Sequence, residues 1–369
     1  MDLTYSDEQR LLGESANNLL AARAQKPGAT DLWKEMADMG WLALPLPEAN
    51  GGLAQGIVDV AIVTEAMGRH RARSNYVASV VLCGGLVAAL GSDAQRAAFL
   101  PGLADGSSRL ALAHAEEGAR YNLSHVAVTA KKSGAGWVLD GRKIAVLGGD
   151  VADRFAVSAR LSGGARDTGG IGLFVVARDA KGVTVDGHAT VDGAGAARVT
   201  FSGVEVDADA LLSDNGFAEI ERAHDRATAA FCSELVGLME AATAATIEYT
   251  KIRIQFGKPL AVNQTLRHRM ADMSIACEEA RSMALRAALH ADDTDAVQRG
   301  RAVSGAWSKV SRAARFVAEQ SIQLHGGMGV TNELEIGGYL KRVVALDVIL
   351  GGPDHHLRRH AALSAHRAA

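Results

Sequence analysis

The sequence predicts an α+β multidomain chain in three parts: an N-terminal α-helical domain over residues 1–108, a central antiparallel, β-barrel-like domain over 109–212, and a C-terminal helix-bundle domain over 213–369. Three observations predict it. The spacing of apolar residues changes from helical to strand-like near Leu110 and returns to helical after Asn215. The six prolines (Pro27, Pro45, Pro47, Pro101, Pro259, Pro353) leave two stretches of more than ninety residues without one, and the second, after Pro259, suits long uninterrupted helices. The chain has 369 residues, 48% hydrophobic and 22% charged, enough to bury a sizeable core, which excludes a disordered or fibrous protein.

The first helix opens on the capping box Ser6-x-x-Gln9 and carries an apolar stripe of Leu12, Ala16, Leu19 and Leu20; a second box, Ser92-x-x-Gln95, opens another helix. Between them the segment 45–52, with Pro45, Pro47 and Asn50-Gly51-Gly52, favours extended and left-handed backbone and separates helices. From Leu110 to Leu211 the runs shorten to strands such as 126–129, 137–139, 171–176 and 199–201, rich in β-branched residues. Asp140-Gly141 between two such runs is a hairpin signal, and the Gly- and Ser-rich stretch 162–170 reads as a flexible loop. Helices are then expected near 217–256, 262–291, 295–324, 332–349 and 354–366, with breaks at Gly257-Lys258-Pro259 and Gly326-Gly327. A helix of about 30 residues spans about 45 Å, which suits a bundle with faces for self-association.

Net charge is -3 and both signs are mixed along the chain, so no basic face invites nucleic acid. Three separated cysteines (Cys83, Cys232, Cys277) offer neither a disulfide framework nor a CxxC metal site and suit a reducing cytoplasm. No stretch reads as the roughly 18–20 apolar residues of a membrane span, and the acidic start MDLTYSDEQR lacks the positive region of a signal peptide.

The run Arg253-Ile254-Gln255-Phe256-Gly257-Lys258-Pro259-Leu260, then Gln264, then Met270-Ala271-Asp272-Met273, and later Gln323-Leu324-His325-Gly326-Gly327-Met328-Gly329, is similar to the motifs of the acyl-CoA dehydrogenase family, and the likeness spans the whole chain. The residue chemistry suits a pyrophosphate: Arg253 offers a permanently charged planar fork, and Gly326 and Gly327 let N–H groups approach an anion, while Phe256 can lie against adenosine. The plainer reading has Arg253 capping its helix and the glycines ending theirs. The resemblance implies that Arg253, Gln255, Phe256, Gln264, Gln323, Gly326 and Gly327 bind the adenine dinucleotide half of FAD in a neighbouring subunit. It also implies an oligomer, an acyl-CoA substrate and an electron-transferring flavoprotein as acceptor.

The family removes the α proton of an acyl-CoA thioester with a glutamate whose pKa is raised by burial, while the β hydride goes to the flavin. Aligning the tail 349–358 on Gly352 and Arg358 puts Gly351 where that glutamate stands, and the second known base position, 26 residues before Arg253, holds Ala227. The family's Thr-Glu-Pro-Gly-Ala-Gly-Ser-Asp flavin loop corresponds to Ala115–Asn122, and its Trp-Ile-Thr strand to Ala145-Val146-Leu147, so a hydroxyl and an aromatic wall are missing. This asymmetry resembles the small or partner subunits of bacterial heteromeric α2β2 acyl-CoA dehydrogenases of pimeloyl-CoA or steroid side-chain type. The catalytic residue of the chain is unknown on this reading. A self-sufficient homo-oligomer using Asp347 or Asp354, or a non-catalytic structural or CoA-ester-binding protein, are the alternatives. His356 and His360 have the i, i+4 spacing of a metal pair but lack a third ligand and read as a solvated or interface face; His325 is expected at a subunit interface, and Cys232 and Cys277 in the core.

Overall fold

The computed structural model describes residues 4–24, 32–331 and 333–365. Ser6 and Gln9 exchange side-chain and backbone hydrogen bonds at 3.1 and 3.2 Å, and α1 (Asp7–Ala24) follows with Ala16 and Leu20 buried. α2 (Trp33–Asp38) and α3 (Ile57–Arg69) flank the 45–52 segment, which forms a 3-10 turn at Glu48–Asn50. The buried run Val77–Gly84 is wound as a π-helix and continues into α4 (Gly85–Leu90); α5 (Asp93–Ala104) starts at the second capping box, complete in both directions.

The β region comprises β1 (Leu110–Ala113), β2 (Thr129–Ser133), β3 (Gly136–Leu147), β4 (Arg154–Arg160), β5 (Ile171–Ala177), β6 (Val183–Ala189), β7 (Gly195–Val206) and β8 (Leu211–Ser213). They form one sheet in the order β6-β7-β3-β2-β4-β5-β8, with β1 alongside β4. Pairing is mostly antiparallel, but β1 and β2 both run parallel to β4, because the residues between them and β4 cross over instead of turning back. Asp140-Gly141 does not make a hairpin. β3 runs straight through it with a bulge against β7: Gly141 sits at φ +133°, a Cβ there would lie 2.8 Å from Val128 Cγ2, and Asp140 Oδ1 accepts the Gly203 N–H at 2.7 Å. The turn falls instead around Gly134, between β2 and β3. The 162–170 stretch is also tied down. Arg160 donates to the carbonyls of Ala165, Asp167 and Gly169 at 2.6–3.2 Å, and Asp167 accepts the Gly164 N–H.

The helices that follow are α6 (Phe217–Ile252), α7 (Gln264–His290), α8 (Ala296–His325), α9 (Ile336–Ile349) and α10 (Pro353–Ala365). The expected helix limits at 332 and 366 lie outside the described residues, as does Pro27. α6 ends four residues before the expected 256, because Arg253 enters a two-strand arm of β9 (Ile254–Gln255) and β10 (Lys258–Pro259). α6 also contains an 18-residue window of mean hydropathy 1.3, apolar enough to cross a membrane; 72% of that window is buried inside the protein, so it is a core helix.

Packing groups the chain into two units. One holds Met1–Thr30, Ile57–Arg73 and Thr228–Ala369; the other holds Asp31–Gly56 and Ser74–Ala227. The N-terminal helices are thus shared out: α1 and α3 join the bundle, and α2, α4 and α5 join the sheet. The second unit has a core of β-sheet residues including Val128, Leu139, Phe155, Phe174 and Phe201.

Within the bundle unit, α3 crosses α6 at backbone contact. A Cβ on Gly68 would lie 2.0 Å from Glu234 O, one on Gly237 2.0 Å from Glu65 O, and Thr64 Oγ1 donates to Ala230 O at 2.9 Å. Any side chain at either glycine forces the helices apart. Gly237→Val is therefore expected to cost about 3 kcal/mol or more in urea unfolding, or to prevent folding. Gly85→Ala, where the new Cβ meets nothing nearer than Arg226 Nη1 at 3.4 Å, should be neutral or stabilising by up to about 1 kcal/mol.

Candidate functional site

The arm that follows α6 is exposed from Lys251 to Lys258, with Phe256 fully exposed at φ +52°. Arg253 N donates to Tyr249 O and Leu260 N to Arg253 O, both at 2.9 Å, so the backbone is fixed while the guanidinium makes no hydrogen bond or ion pair among the described residues. Arg253 is therefore not a side-chain helix cap. Four residues before it, the Tyr249 ring stacks on His325 with centroids 4.3 Å apart. This stack brings the end of α6 to the end of α8, and so Arg253 to the neighbourhood of Gly326 and Gly327. Arg269 Nε donates to Gln320 Oε1 at 2.7 Å and brings the start of α7, with Gln264, to the turn of α8 that precedes Gln323. Arg253, Gln255, Phe256, Gln264, Gln323, Gly326 and Gly327 are thus gathered at one end of the bundle, all exposed.

The glycines there differ in what they are for. A Cβ on Gly329 would lie 2.6 Å from Ile322 O, so packing explains it; Cβ atoms on Gly326 or Gly327 meet nothing within 4 Å. Gly326 is held by its φ of +62°, but neither backbone nor packing within the chain calls for glycine at 327, where space stays open for an outside group. His325 is not on an outer face. It is 6% exposed, its Nδ1 pairs with Ser321 O at 2.8 Å, and burial holds its pKa below the ordinary value.

At the other end of α9, Leu350-Gly351-Gly352 turns the chain into α10. Gly351 has φ +119°; its carbonyl accepts from Trp307 Nε1 at 2.7 Å, and His356 Nε2 pairs with Leu350 O at 3.2 Å. A Cβ on Gly351 would lie 2.7 Å from His355 Cδ2 and 3.0 Å from His356 Nε2, so two imidazoles fill the place where a side chain would begin. His356 and His360 are not a solvated face either: His356 Nδ1 meets Ser304 Oγ at 3.2 Å and His360 Nδ1 meets Arg301 O at 2.8 Å, seating α10 on α8 beside Gly300 and Gly305. The nearby carboxylates are engaged with arginines of α8, Asp354 with Arg312 at 2.7 Å and Asp347 with Arg315 at 3.6 Å; burial raises the Asp347 pKa. Ala227, in the sheet unit, is fully buried.

In the sheet unit, Ala115–Asn122 forms the loop after β1, and Ala145 sits at φ +49° within a bulge of β3. Beneath the loop lies a buried polar cluster. Lys143, fully buried, donates to Glu116 Oε1 at 2.6 Å, Ser158 Oγ at 2.9 Å and His114 O at 3.2 Å. Glu116 in turn accepts the N–H groups of Ala127 and Val128 at 2.7 and 3.0 Å. Burial pushes the Lys143 pKa down to about 8 against the pull of Glu116; burial, then Lys143 and then His224 hold His114 well below its ordinary value. The sequence signal for this cluster is a lysine on an inward-facing strand register, between Leu139 and Val146, both buried. Cys83, Cys232 and Cys277 are buried, and burial raises all three thiols, with Cys83 pushed up to about 12.

Family models match along nearly the whole chain: acyl-CoA dehydrogenase N-terminal domain over residues 6–107, middle domain over 111–204 and C-terminal domain over 214–365. The chain belongs to the acyl-CoA dehydrogenase family. Acyl-CoA dehydrogenase FadE12 of Mycobacterium tuberculosis is 29% identical over 316 residues, covering 84% of this chain and 81% of that one. Among solved structures, a variant of the steroid acyl-CoA dehydrogenase Tcur3481-Tcur3483 superposes with a TM-score of 0.86 at 30% identity, covering 98% of this chain and 99% of that one. The ChsE4-ChsE5 complex of M. tuberculosis gives a TM-score of 0.87 at 26% identity, with 99% of each chain covered.

The family and its structural relatives bind FAD. The bundle end fits the dinucleotide part of that group: Arg253 supplies an unengaged cation and Gly327 an open backbone. The sheet unit offers less to the ring system, with alanine at 115 and 145 where the family pattern has a threonine and a tryptophan.

The His114 shift carries a stability consequence. In the unfolded chain its imidazole takes a proton as pH falls through about 6.5, whereas the folded chain refuses it, so stability is expected to drop below that pH by up to about 1.4 kcal/mol per unit. His114→Leu should remove this one-proton slope. Urea unfolding of both proteins at pH 7.5 and 5.5 measures it, since every other titrating group is common to the pair.

Proposed function

We propose that this chain is a subunit of a heteromeric, FAD-dependent acyl-CoA dehydrogenase, completing the dinucleotide site of a neighbouring subunit while the catalytic base comes from its partner. The observation that carries the reading is the Gly351 turn. Position 351 lacks a carboxylate and is crowded by His355 and His356, position 227 is a buried alanine, Asp354 is paired with Arg312, and Asp347 faces Arg315 at 3.6 Å through one oxygen, the other being buried without a partner. Where α6 and α8 end, Arg253, Gln255, Phe256, Gln264, Gln323, Gly326 and Gly327 are all exposed. There, Ile252, Ile254, Phe256, Val262 and Val330 are 46–101% exposed, an apolar surface that suits coverage by a second subunit.

Bound FAD would take the hydride from an acyl-CoA thioester and pass electrons to an electron-transferring flavoprotein. Arg253 would pair with the pyrophosphate, Gly326 and Gly327 would admit it close to the backbone, and Phe256 would lie against the adenosine. The likeness to two-component steroid dehydrogenases supports an α2β2 arrangement on acyl-CoA substrates.

Purified alone, the chain should carry little flavin by absorption and show no acyl-CoA turnover; co-expression with its partner should give a yellow, active assembly. Full flavin occupancy with turnover by the lone chain would refute the reading. In the assembly, Arg253→Ala should weaken FAD retention by about tenfold or more, the scale of a lost charge-assisted pair. Unchanged flavin content would remove Arg253 from the site. Gly351→Glu should give no base in the lone chain and should destabilise it, because the new side chain has to displace two histidines.

A further inference from the structure

Arg71 stands two residues past the end of α3 with φ +48°, in the left-handed region that a long side chain rarely takes. The helix end explains the backbone. Arg71 N donates to Gly68 O at 3.1 Å and Ala72 N to Met67 O at 2.8 Å, a pair of bonds that closes a helix with glycine as its usual residue at this position. What glycine lacks is the guanidinium. It lies over the Tyr339 ring, 5.0 Å from the centroid, and pairs with Glu335 at 2.7 Å. It also rests on the backbone of Gly338, where a Cβ would overlap Nη1 and lie 3.1 Å from Cζ. Three residues at the start of α9 thus meet one side chain from the end of α3.

The same turn of α9 reaches the glycine run. A Cβ on Gly337 would lie 3.7 Å from Gly329 O, and one on Gly329 2.6 Å from Ile322 O, so the start of α9, the 326–330 turn and the last turn of α8 lie backbone against backbone. Two consecutive glycines weaken a helix start, and here each has a use: Gly337 faces the turn and Gly338 carries the guanidinium. The turn is held at its other end by Tyr249, whose ring stacks on His325 and whose hydroxyl donates to His325 O at 3.4 Å. Glu335 is 80% exposed, so its ion pair adds little. The flat contacts of the guanidinium with the Tyr339 ring and the Gly338 backbone carry the hold.

We propose that Arg71 is a positioning residue: its guanidinium latches the start of α9 onto the end of α3 and so holds the 326–330 turn in the form that presents Gly326 and Gly327. That these glycines then admit the FAD pyrophosphate rests on the function proposed above; the latch itself does not. Arg71 acts through α9 and does not touch the cofactor on this account. The strained backbone at 71 is what it takes to bring a guanidinium to a place where the helix end alone calls for glycine.

Hydrogen exchange of the full-length chain, read at the amides of 326–330 and 340–343, tests the latch without flavin. Arg71→Gly suits the left-handed backbone and removes only the side chain, so the protein should fold while these amides exchange about tenfold faster, the scale of one lost charged contact, with α7 unchanged. Gly338→Ala supplies the second arm. In the Arg71→Gly chain it should slow exchange, because alanine is the better helix former; in the wild-type chain the displaced guanidinium should cancel that gain. The effect of Gly338→Ala should therefore differ by about tenfold between the two backgrounds, and equal effects overturn the latch. Val310→Ala, in the core of α8, is the control for overall stability: if the same amides quicken in it as much as in Arg71→Gly at equal loss of stability, the contact is only packing and the proposal fails. In the flavin-loaded assembly, Arg71→Gly should speed FAD release by about tenfold; loosened amides with wild-type FAD release overturn the step from latch to cofactor. A wild-type assembly without flavin is a separate outcome, seen before any variant is made, and it defeats the function proposed above while the exchange result stands by itself.

Discussion

The contact between α3 and α6 at Gly68 and Gly237 sets the geometry of the bundle. Two glycines at reciprocal positions let the helix backbones touch, with virtual Cβ atoms 2.0 Å from carbonyl oxygens on either side. Each glycine costs about 1 kcal/mol against alanine in a helix interior, so the approach has to be offset by what it brings together. It brings Thr64 onto Ala230 and lets Arg69 reach both Glu65 and Glu240, at 2.9 and 2.6 Å, with Arg281 of α7 closing the same network. From the same stretch of α6, Glu234 takes Arg342 of α9 in a bidentate pair at 2.6 and 3.0 Å, with the two side chains 3% and 12% exposed. Removing either partner would strand a buried charge, which fixes α9 on α6 more firmly than an exposed pair would. α9 in turn delivers the Gly351 turn to Trp307, and α6 delivers Tyr249 to His325. The Gly351 turn and the Arg253 arm are therefore both carried by helices that meet at this crossing or pack on α6.

The sheet unit solves a different problem with a buried charge. Lys143 lies in an inward register where an apolar residue would pack at lower cost in desolvation, and its pKa, pushed down to about 8, reflects that cost. What it gains is convergence: three acceptors, two from the segment that follows β1 and one from β4, point at one nitrogen. Apolar packing has no directional equivalent. Arg160 does similar service nearby, collecting carbonyls from both the 124–126 and 165–169 segments, so a cation joins these two irregular stretches of the unit in addition to the bonds of their own side chains.

Much of this is legible in the sequence wherever local chemistry decides the outcome. Ser6/Gln9 and Ser92/Gln95 cap helices because the capping box needs only four consecutive residues, and the ends of α7 to α10 fall within a few residues of the periodicity. Local rules fail where a distant residue intervenes. Asp140-Gly141 has hairpin chemistry, but Val128 and Gly203 use it to make a bulge instead. Residues 162–170 have the composition of a free loop, and nothing within them announces Arg160. His356 and His360 read by their spacing as a solvated or interface face, and His325 by its place in the glycine-rich run as an interface residue, whereas their partners Ser304, Arg301 and Tyr249 lie 52 to 76 positions away and cannot be paired with them from one sequence. The Arg253–Leu260 and Gln323–Gly329 runs are visible because each is a short contiguous pattern that resembles a family motif; the Lys143 cluster is not, because it draws single residues from two strands and the loop after β1.

The two ends of the bundle also differ in a way that bears on the proposed division of labour. At the Gly351 turn the backbone is engaged from within: Gly351 O by Trp307, Leu350 O by His356, and the space beside Cα by imidazole rings, while Asp347 Oδ1 is buried without a hydrogen-bond partner. At the Arg253 arm the reverse holds, with an unengaged guanidinium and a fully exposed phenylalanine held on a fixed backbone. An exposed Phe256 in the left-handed region costs strain and solubility together. That cost is offset only when another surface covers the arm. The proposed division of labour accounts for this asymmetry, with the arm covered and the base supplied by a second polypeptide.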